Sequence, residues 1–178
     1  LTYAWSGPFP EGNGSAVGPA PTVTLPLGLS LISLTVHDGQ VDSDPDTVAI
    51  AVTAAVAGLE PPLTPLVPLG EEPLLPDKAV QAGRTLPLKL GLACLDGPLT
   101  DAEVAPPRIV SILREGDAVD LEVIDPDAGE ANDSGLMFRY ADGHWVYNLG
   151  TSALGAGRYA VVIQMPDGRR FSAAFVLR

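Results

Sequence analysis

Residues 135–149 read Gly-Leu-Met-Phe-Arg-Tyr-Ala-Asp-Gly-His-Trp-Val-Tyr-Asn-Leu, and a small-residue loop then leads into Gly157–Arg178. Asp142-Gly143 is a strong hairpin signal, because a type I′ turn needs φ > 0 at both central residues. Taking those two residues as the loop places Tyr140 opposite Trp145, Phe138 opposite Tyr147 and Leu136 opposite Leu149. Side chains alternate along a strand, so all six fall on one face. Met137, Arg139, Val146 and Asn148 take the other. Most of the chain's aromatic residues lie in this region, and the pattern predicts the core of an all-β domain.

A second hairpin follows. Tyr159, Val161 and Ile163 share a face, as do Phe171, Ala173 and Phe175. A two-residue loop at Asp167-Gly168 would send these sets to opposite faces. A three-residue loop, Pro166-Asp167-Gly168, pairs Ile163 with Phe171 and Tyr159 with Phe175. Pro suits the first turn position, and Gly the left-handed bulge position.

The chain has 178 residues, enough for one or two domains, and its 19 glycines and 18 prolines favour short strands joined by turns over long helices. Its net charge of −12 argues against nucleic acid as a partner, because phosphate contacts need a basic patch. The lone Cys94 excludes an intramolecular disulfide, and its setting in Leu-Ala-Cys-Leu predicts a buried, inert thiol. No apolar run reaches the ~18 residues of a membrane span, and no stretch reads as a signal peptide. A chain that opens on Leu1 is expected to be a fragment or a processed product.

Residues 1–58 read as strands only. Thr2–Trp5 alternates, Gly7–Pro21 is a loop, and Thr22–Leu25 is a short strand. Ser30–Val36 aligns Ile32, Leu34 and Val36. Asp38–Asp46 is an acidic loop, and Thr47–Val52 aligns Val48, Ile50 and Val52. The segments Leu-Thr-Tyr-Ala-Trp-Ser-Gly-Pro-Phe, Pro-Thr-Val-Thr-Leu-Pro-Leu-Gly, Leu-Thr-Val-His-Asp-Gly-Gln and Asp-Thr-Val-Ala-Ile follow in order. Together, over residues 1–53, they resemble the later strands of a PKD-type repeat, an immunoglobulin-like sandwich of microbial surface and secreted proteins. The two strands that normally open such a repeat have no counterpart.

Residues 59–77 carry six prolines and read as an extended connector. From Gln81 strands resume, with Leu86, Leu88, Leu90 and Leu92 alternating. Pro87 marks an edge or a bulge there, because it has no ladder donor. Arg108–Leu113 and Val119–Ile124 flank Glu115-Gly116-Asp117 as a third hairpin. Leu-Pro-Leu-Lys-Leu at 86–90 resembles the Pro-x-Lys-Phe motif that names a C-terminal domain of secreted bacterial and archaeal proteins, with Leu90 where the motif has Phe. Phe-Arg-Tyr, Tyr-Asn-Leu-Gly-Thr, Gly-Arg-Tyr and Pro-Asp-Gly-Arg-Arg extend the similarity from about Leu59 to Arg178. The resemblance implies an extracellular accessory domain and brings no catalytic residues with it.

The expected architecture is therefore all-β, with two immunoglobulin-like β-sandwich modules in tandem. Residues 1–58 form the first, lacking its N-terminal strands; residues 59–80 are the connector; residues 81–178 form the second. A sandwich normally has about seven strands in two sheets. The first module offers fewer, which would leave Ile32, Leu34, Val48, Ile50 and Val52 partly bare. Either upstream residues of the same protein cover them, or a neighbouring copy donates a strand and the copies form a fibre. The candidate exchanged arm carries Leu63, Leu66, Val67, Leu69, Leu74 and Leu75, although its prolines remove ladder donors.

Chemistry-bearing groups are sparse. Asp125, Asp127, Glu130 and Asp133 crowd one loop and are candidate calcium ligands; Asp38, Asp42, Asp44 and Asp46 form a similar cluster. The alternative for both is a solvated acidic turn. No other cofactor is expected. His37 and His144 have no Ser or Cys nucleophile motif near them, so no enzyme is expected. Trp5, Tyr3, Trp145 and Tyr147 would stack on sugars if exposed, but alternation turns Trp145 and Tyr147 inward. The sequence thus points to a non-catalytic, extracellular structural or adhesive module, with a carbohydrate-binding accessory module of a secreted hydrolase as the alternative. Other copies of itself, or upstream domains, are the expected partners. Titration of calcium against the chain is the direct check on the acidic loops: heat, or a raised melting temperature, is the outcome a calcium site requires.

Overall fold

The structure is a computed structural model and describes residues 1–59, 63, 65–94, 97–115, 117–119 and 135–178. The chain is all-β, with no α-helix among the described residues. It divides into two compact units, Leu1–Ala54 and Ala55–Arg178.

The first unit is a single antiparallel sheet. Its strands are β1 (Thr2–Ser6), β2 (Ser15–Val17), β3 (Gly28–His37) and β4 (Asp46–Val52), in the order β2-β1-β3-β4. Tyr3 stands opposite Val36, Trp5 opposite Leu34, Ile32 opposite Val48 and Ser30 opposite Ile50. Paired residues project to the same side, so these eight define one face. The stretch expected as a plain loop between β1 and Pro21 contains a 3-10 turn at Glu11–Asn13 and the strand β2. Phe9 is buried and its ring lies so close to Gly7 that a Cβ there would sit 2.6 Å from it. Thr22–Leu25, expected as a strand, pairs with no strand among the described residues. Pro19, Pro21 and Pro26 surround it and supply no ladder donors. Instead the Thr24 N–H donates to Glu11 Oε2 at 3.2 Å.

The second unit contains β5 (Ala55–Ala57), β6 (Val67–Pro68), β7 (Thr85–Cys94), β8 (Gly97–Pro98), β9 (Arg108–Arg114), β10 (Asp117–Val119), β11 (Arg139–Ala141), β12 (His144–Gly150), β13 (Gly157–Gln164) and β14 (Arg170–Leu177). One sheet runs β10-β9-β13-β14-β6 and the other β11-β12-β7-β5, with β8 also on β7. They form a two-sheet β-sandwich. Leu86, Leu88, Leu90 and Leu92 alternate inward from β7, beside Trp145, Tyr147 and Leu149 of β12. Tyr159, Val161, Ile163, Ala173 and Phe175 supply the facing layer. All are buried, as a period of two demands of a sheet covered on that side.

Both hairpin registers follow from turn chemistry. Asp142 (φ 53°) and Gly143 (φ 80°) make the positive-φ pair of the first turn, with Tyr140 opposite Trp145. Their rings meet edge to face at 5.4 Å, and Phe138 lies 5.5 Å from Tyr147. At the second turn Ile163 faces Phe171 and Tyr159 faces Phe175, with Gly168 at φ 86°. Asp167 locks this tip by accepting hydrogen bonds from the backbone N–H and Nε of Arg169. Arg169 also lies over the Phe171 ring.

The expected pairing of Leu136 with Leu149 does not form. Leu149 stands opposite Leu86, and the chain before Arg139 crosses to the other sheet. There the Ile109 N–H donates to Leu136 O, and the Phe138 N–H donates to Pro107 O, both at 2.8 Å. These bonds satisfy backbone groups at the start of β9 that a longer hairpin would have left unpaired. In the third hairpin Asp117 pairs with Arg114 and belongs to β10; residues 120–124 lie outside the described residues. Pro87 sits opposite Asn148, while on the other side β5 reaches only Gly91–Ala93, so Pro87 occupies a locally open stretch.

The boundaries differ from those expected. β5 pairs with β7, which moves the division to Ala54/Ala55. The proline-rich segment is a strap on the second unit. Val67 pairs with Ser172 and Pro68 with Phe171, and the Leu69 N–H donates to Arg170 O at 3.0 Å. The strap rejoins β14 at Val80, whose N–H donates to Val176 O at 2.7 Å. Proline content reports the missing donors but says nothing about a neighbouring strand that can use the remaining ones.

Leu88 is fully buried at the centre of this core. Leu88→Ala is expected to lower unfolding stability by ~2–5 kcal/mol, measured by urea denaturation. A loss below ~1 kcal/mol would mean that the two sheets do not close on it.

Candidate functional site

The exposed feature that packing does not explain lies on the first unit. β4 is exposed from Asp46 to Ala51, and on the inward-facing side of the sheet Val48 is 50% and Ile50 37% exposed. Phe9, Pro19, Ala20, Pro21 and Val23 cover part of that face and, with Trp5, Ile32, Val48 and Ile50, enclose a hollow of about 250 Å³. On the opposite face Leu29 and Leu31 are 74% and 66% exposed. The sheet therefore presents apolar side chains on both faces next to an end strand.

The aromatic candidates divide between the units. Trp145 and Tyr147 are buried at 1% and 0% exposure, and Trp145 Nε1 donates to Leu99 O at 3.0 Å. Tyr3 and Trp5 are half-buried on one face of β1. Trp5 Nε1 donates to Gly18 O at 2.8 Å, which fixes the indole against the loop after β2. The hollow beside Trp5 has no charged or hydroxyl-bearing side chain in its wall, and sugar hydroxyls need such partners.

The four candidate calcium ligands Asp125, Asp127, Glu130 and Asp133 lie outside the described residues. In the other acidic loop Asp38 Oδ1 accepts the N–H groups of Gln40 (2.8 Å) and Val41 (2.9 Å), and Asp46 Oδ1 accepts that of Thr47. These are turn-forming bonds. The Val41 and Gln40 N–H groups hold the Asp38 carboxyl below the usual carboxylate range. Thr100, through its N–H and hydroxyl, does the same to Glu103. Among the described residues no three His, Cys, Asp or Glu side chains gather as a metal site.

His37 Nδ1 accepts the Gly39 N–H at 2.9 Å, and His144 Nδ1 lies 3.0 Å from Asp142 O, so each serves its own turn. Cys94, expected to be buried, is exposed: it shares the face of Leu90 and Leu92 but is the last residue of β7. Of the candidate assembly residues, Leu63 is buried, Leu66 and Val67 are half-buried, and Leu69, Leu74 and Leu75 are exposed. Leu69 and Leu75 border shallow clefts over the outer side of β13. An exchanged arm would have to break the pairing of β6 with β14 first. No described helix is long and apolar enough to cross a membrane.

No protein-family model matches the chain. No curated protein matches it either. Among solved structures it is similar to a chimeric titin Z1Z2-Z1Z2 tandem functionalised with a GRGDS exogenous peptide from fibronectin, at 12% identity and a TM-score of 0.31 over 99% of this chain and 83% of that one.

Two outcomes check this geometry. Acrylamide is expected to quench Trp5 in the Trp145→Phe variant and to leave Trp145 largely unquenched in Trp5→Phe; equal quenching would place Trp145 at the surface. The Asp38 carboxyl, followed by NMR, is expected to titrate below the ~3.9 of an unperturbed Asp. Because its folded pKa is depressed, its contribution to the loop is complete above the unfolded value and is lost as pH falls through the folded one. A midpoint at or above the unperturbed value would remove the two amide bonds from the account.

Proposed function

We propose that this chain is a non-catalytic structural or adhesive module of a secreted or cell-surface protein, whose work is done through protein contacts. The observation that carries the reading is the half-open sheet of the first unit: apolar side chains on both faces, beside a seven-residue end strand. A surface of that kind suits a protein partner rather than a small substrate. The ordered segments that resemble a PKD-type repeat and a Pro-x-Lys-Phe domain support an extracellular setting. The acidic surface and the 18 prolines fit a β-module exposed to solvent and strung in series. Sugar binding by an accessory module of a hydrolase is the weaker reading, because two of its four aromatic candidates are buried and Trp5 is held by Gly18.

Protease shaving of intact producing cells tests the setting. The chain's epitope is expected to be lost from the cells, or found in the medium, while a cytosolic marker survives. An epitope protected until the cells are lysed would overturn the extracellular reading.

A further inference from the structure

Among the described residues, six strands end the three sheets. β2, β5, β10 and β11 have three residues each and β6 has two, whereas β4 has seven. Short end strands are one way to stop sheets from joining; Lys, Pro, bulges and coverings are others. The second unit uses several of them. Pro87 and Lys89 punctuate the open stretch of β7, and the strap covers the end of β14. β4 has none. Thr47-Val-Ala-Ile-Ala-Val52 contains no charge and no proline, and its pairing to β3 runs without a bulge. Its outer edge therefore presents a row of backbone donors and acceptors that nothing among the described residues guards.

We propose that two copies of this chain join through β4, edge to edge and antiparallel, about a two-fold axis through Ala49. The sequence of β4 suits its own reverse. With Ala49 opposite Ala49 of the partner copy, full overlap of Asp46–Val52 places Val48 opposite Ile50 and Thr47 opposite Ala51. The axis stands perpendicular to the sheet, so each face continues into the same face of the other copy. The two exposed inner-face side chains, Val48 and Ile50, then cover each other twice across the joint.

Charge favours this direction of pairing. Asp38, Asp42, Asp44 and Asp46 all lie at one end of β4. Antiparallel pairing sends the two acidic loops to opposite ends, with the two Asp46 residues about 20 Å apart along the strand. That is beyond a screening length of ~8 Å at physiological salt. A parallel joint would set the two clusters side by side. Four strands from each copy make one continuous sheet, and the short β2 strands become its ends.

This inference goes beyond the surface-module reading and does not require it; a monomeric chain would leave that reading standing. Sedimentation equilibrium on the full chain is expected to give a dimer of the 18.4 kDa unit at raised concentration. Ala49 is exposed, so Ala49→Lys should fold as the parent does and set two like charges directly opposite each other. Its dimer dissociation constant is expected to rise at least about tenfold, while Ser15→Lys on β2 leaves association unchanged. Register is read by cross-linking in a Cys94→Ser background. Ala49→Cys is expected to form a disulfide dimer on mild oxidation, since opposed Cα atoms sit ~4.5–5.5 Å apart. Thr47→Cys is expected not to, since Thr47 faces Ala51. A chain that stays monomeric from micromolar to millimolar, a dimer indifferent to Ala49→Lys, or equal cross-linking at positions 47 and 49 would each overturn the proposal.

Discussion

A β-sheet has two requirements that its own strands cannot meet: its apolar face must be covered, and the free amides and carbonyls of its last strand must be paired or guarded. The two units of this chain answer that constraint differently. In the second, the leucines of β7 and the rings of β12 close against β13 and β14. Its ends are short, strapped or interrupted by proline and lysine. In the first, one sheet carries a cover of Phe9 and a proline-rich loop over part of one face, and no described strand pairs with the outer edge of its longest end strand.

Much of the second unit is legible in the sequence because hairpin register is fixed locally. Asp142-Gly143 and Pro166-Asp167-Gly168 each set φ at two or three residues, and a slip by one would turn every large side chain outward. Tyr159, Ile163, Phe171 and Phe175 leave a single alignment. What fails is whatever depends on a partner far away in sequence. Leu136 leaves the hairpin because Ile109, on a strand twenty-seven positions earlier in the numbering, offers it an N–H. The strap is hidden for the same reason: six prolines describe a chain that cannot form a ladder alone, while Val67, Leu69 and Val80 find carbonyls and amides on β14.

Cys94 fails by position along its strand. Its neighbours are apolar and it shares the face of Leu90 and Leu92, yet it is the last residue of β7 and is exposed there. The half-open face of the first sheet, by contrast, is legible from a strand count and from the alternation of Val48, Ile50 and Ile32. The unguarded edge needs the structure, because only topology tells that Thr47–Val52 is last in its sheet. A continuous run without charge or proline usually belongs to a central strand, and here it lies at an edge.

The central claim is that β4 lacks a neighbour it is built to have. Amide hydrogen exchange of residues 47–52, followed against protein concentration, tests it most directly. Alternate amides of β4 already bond to β3; the others point to the free edge. The account predicts that the edge-directed set exchanges fast in dilute solution and becomes protected as concentration rises, while the β3-directed set stays protected throughout. Edge-directed amides that exchange at one fast rate at every concentration would contradict it.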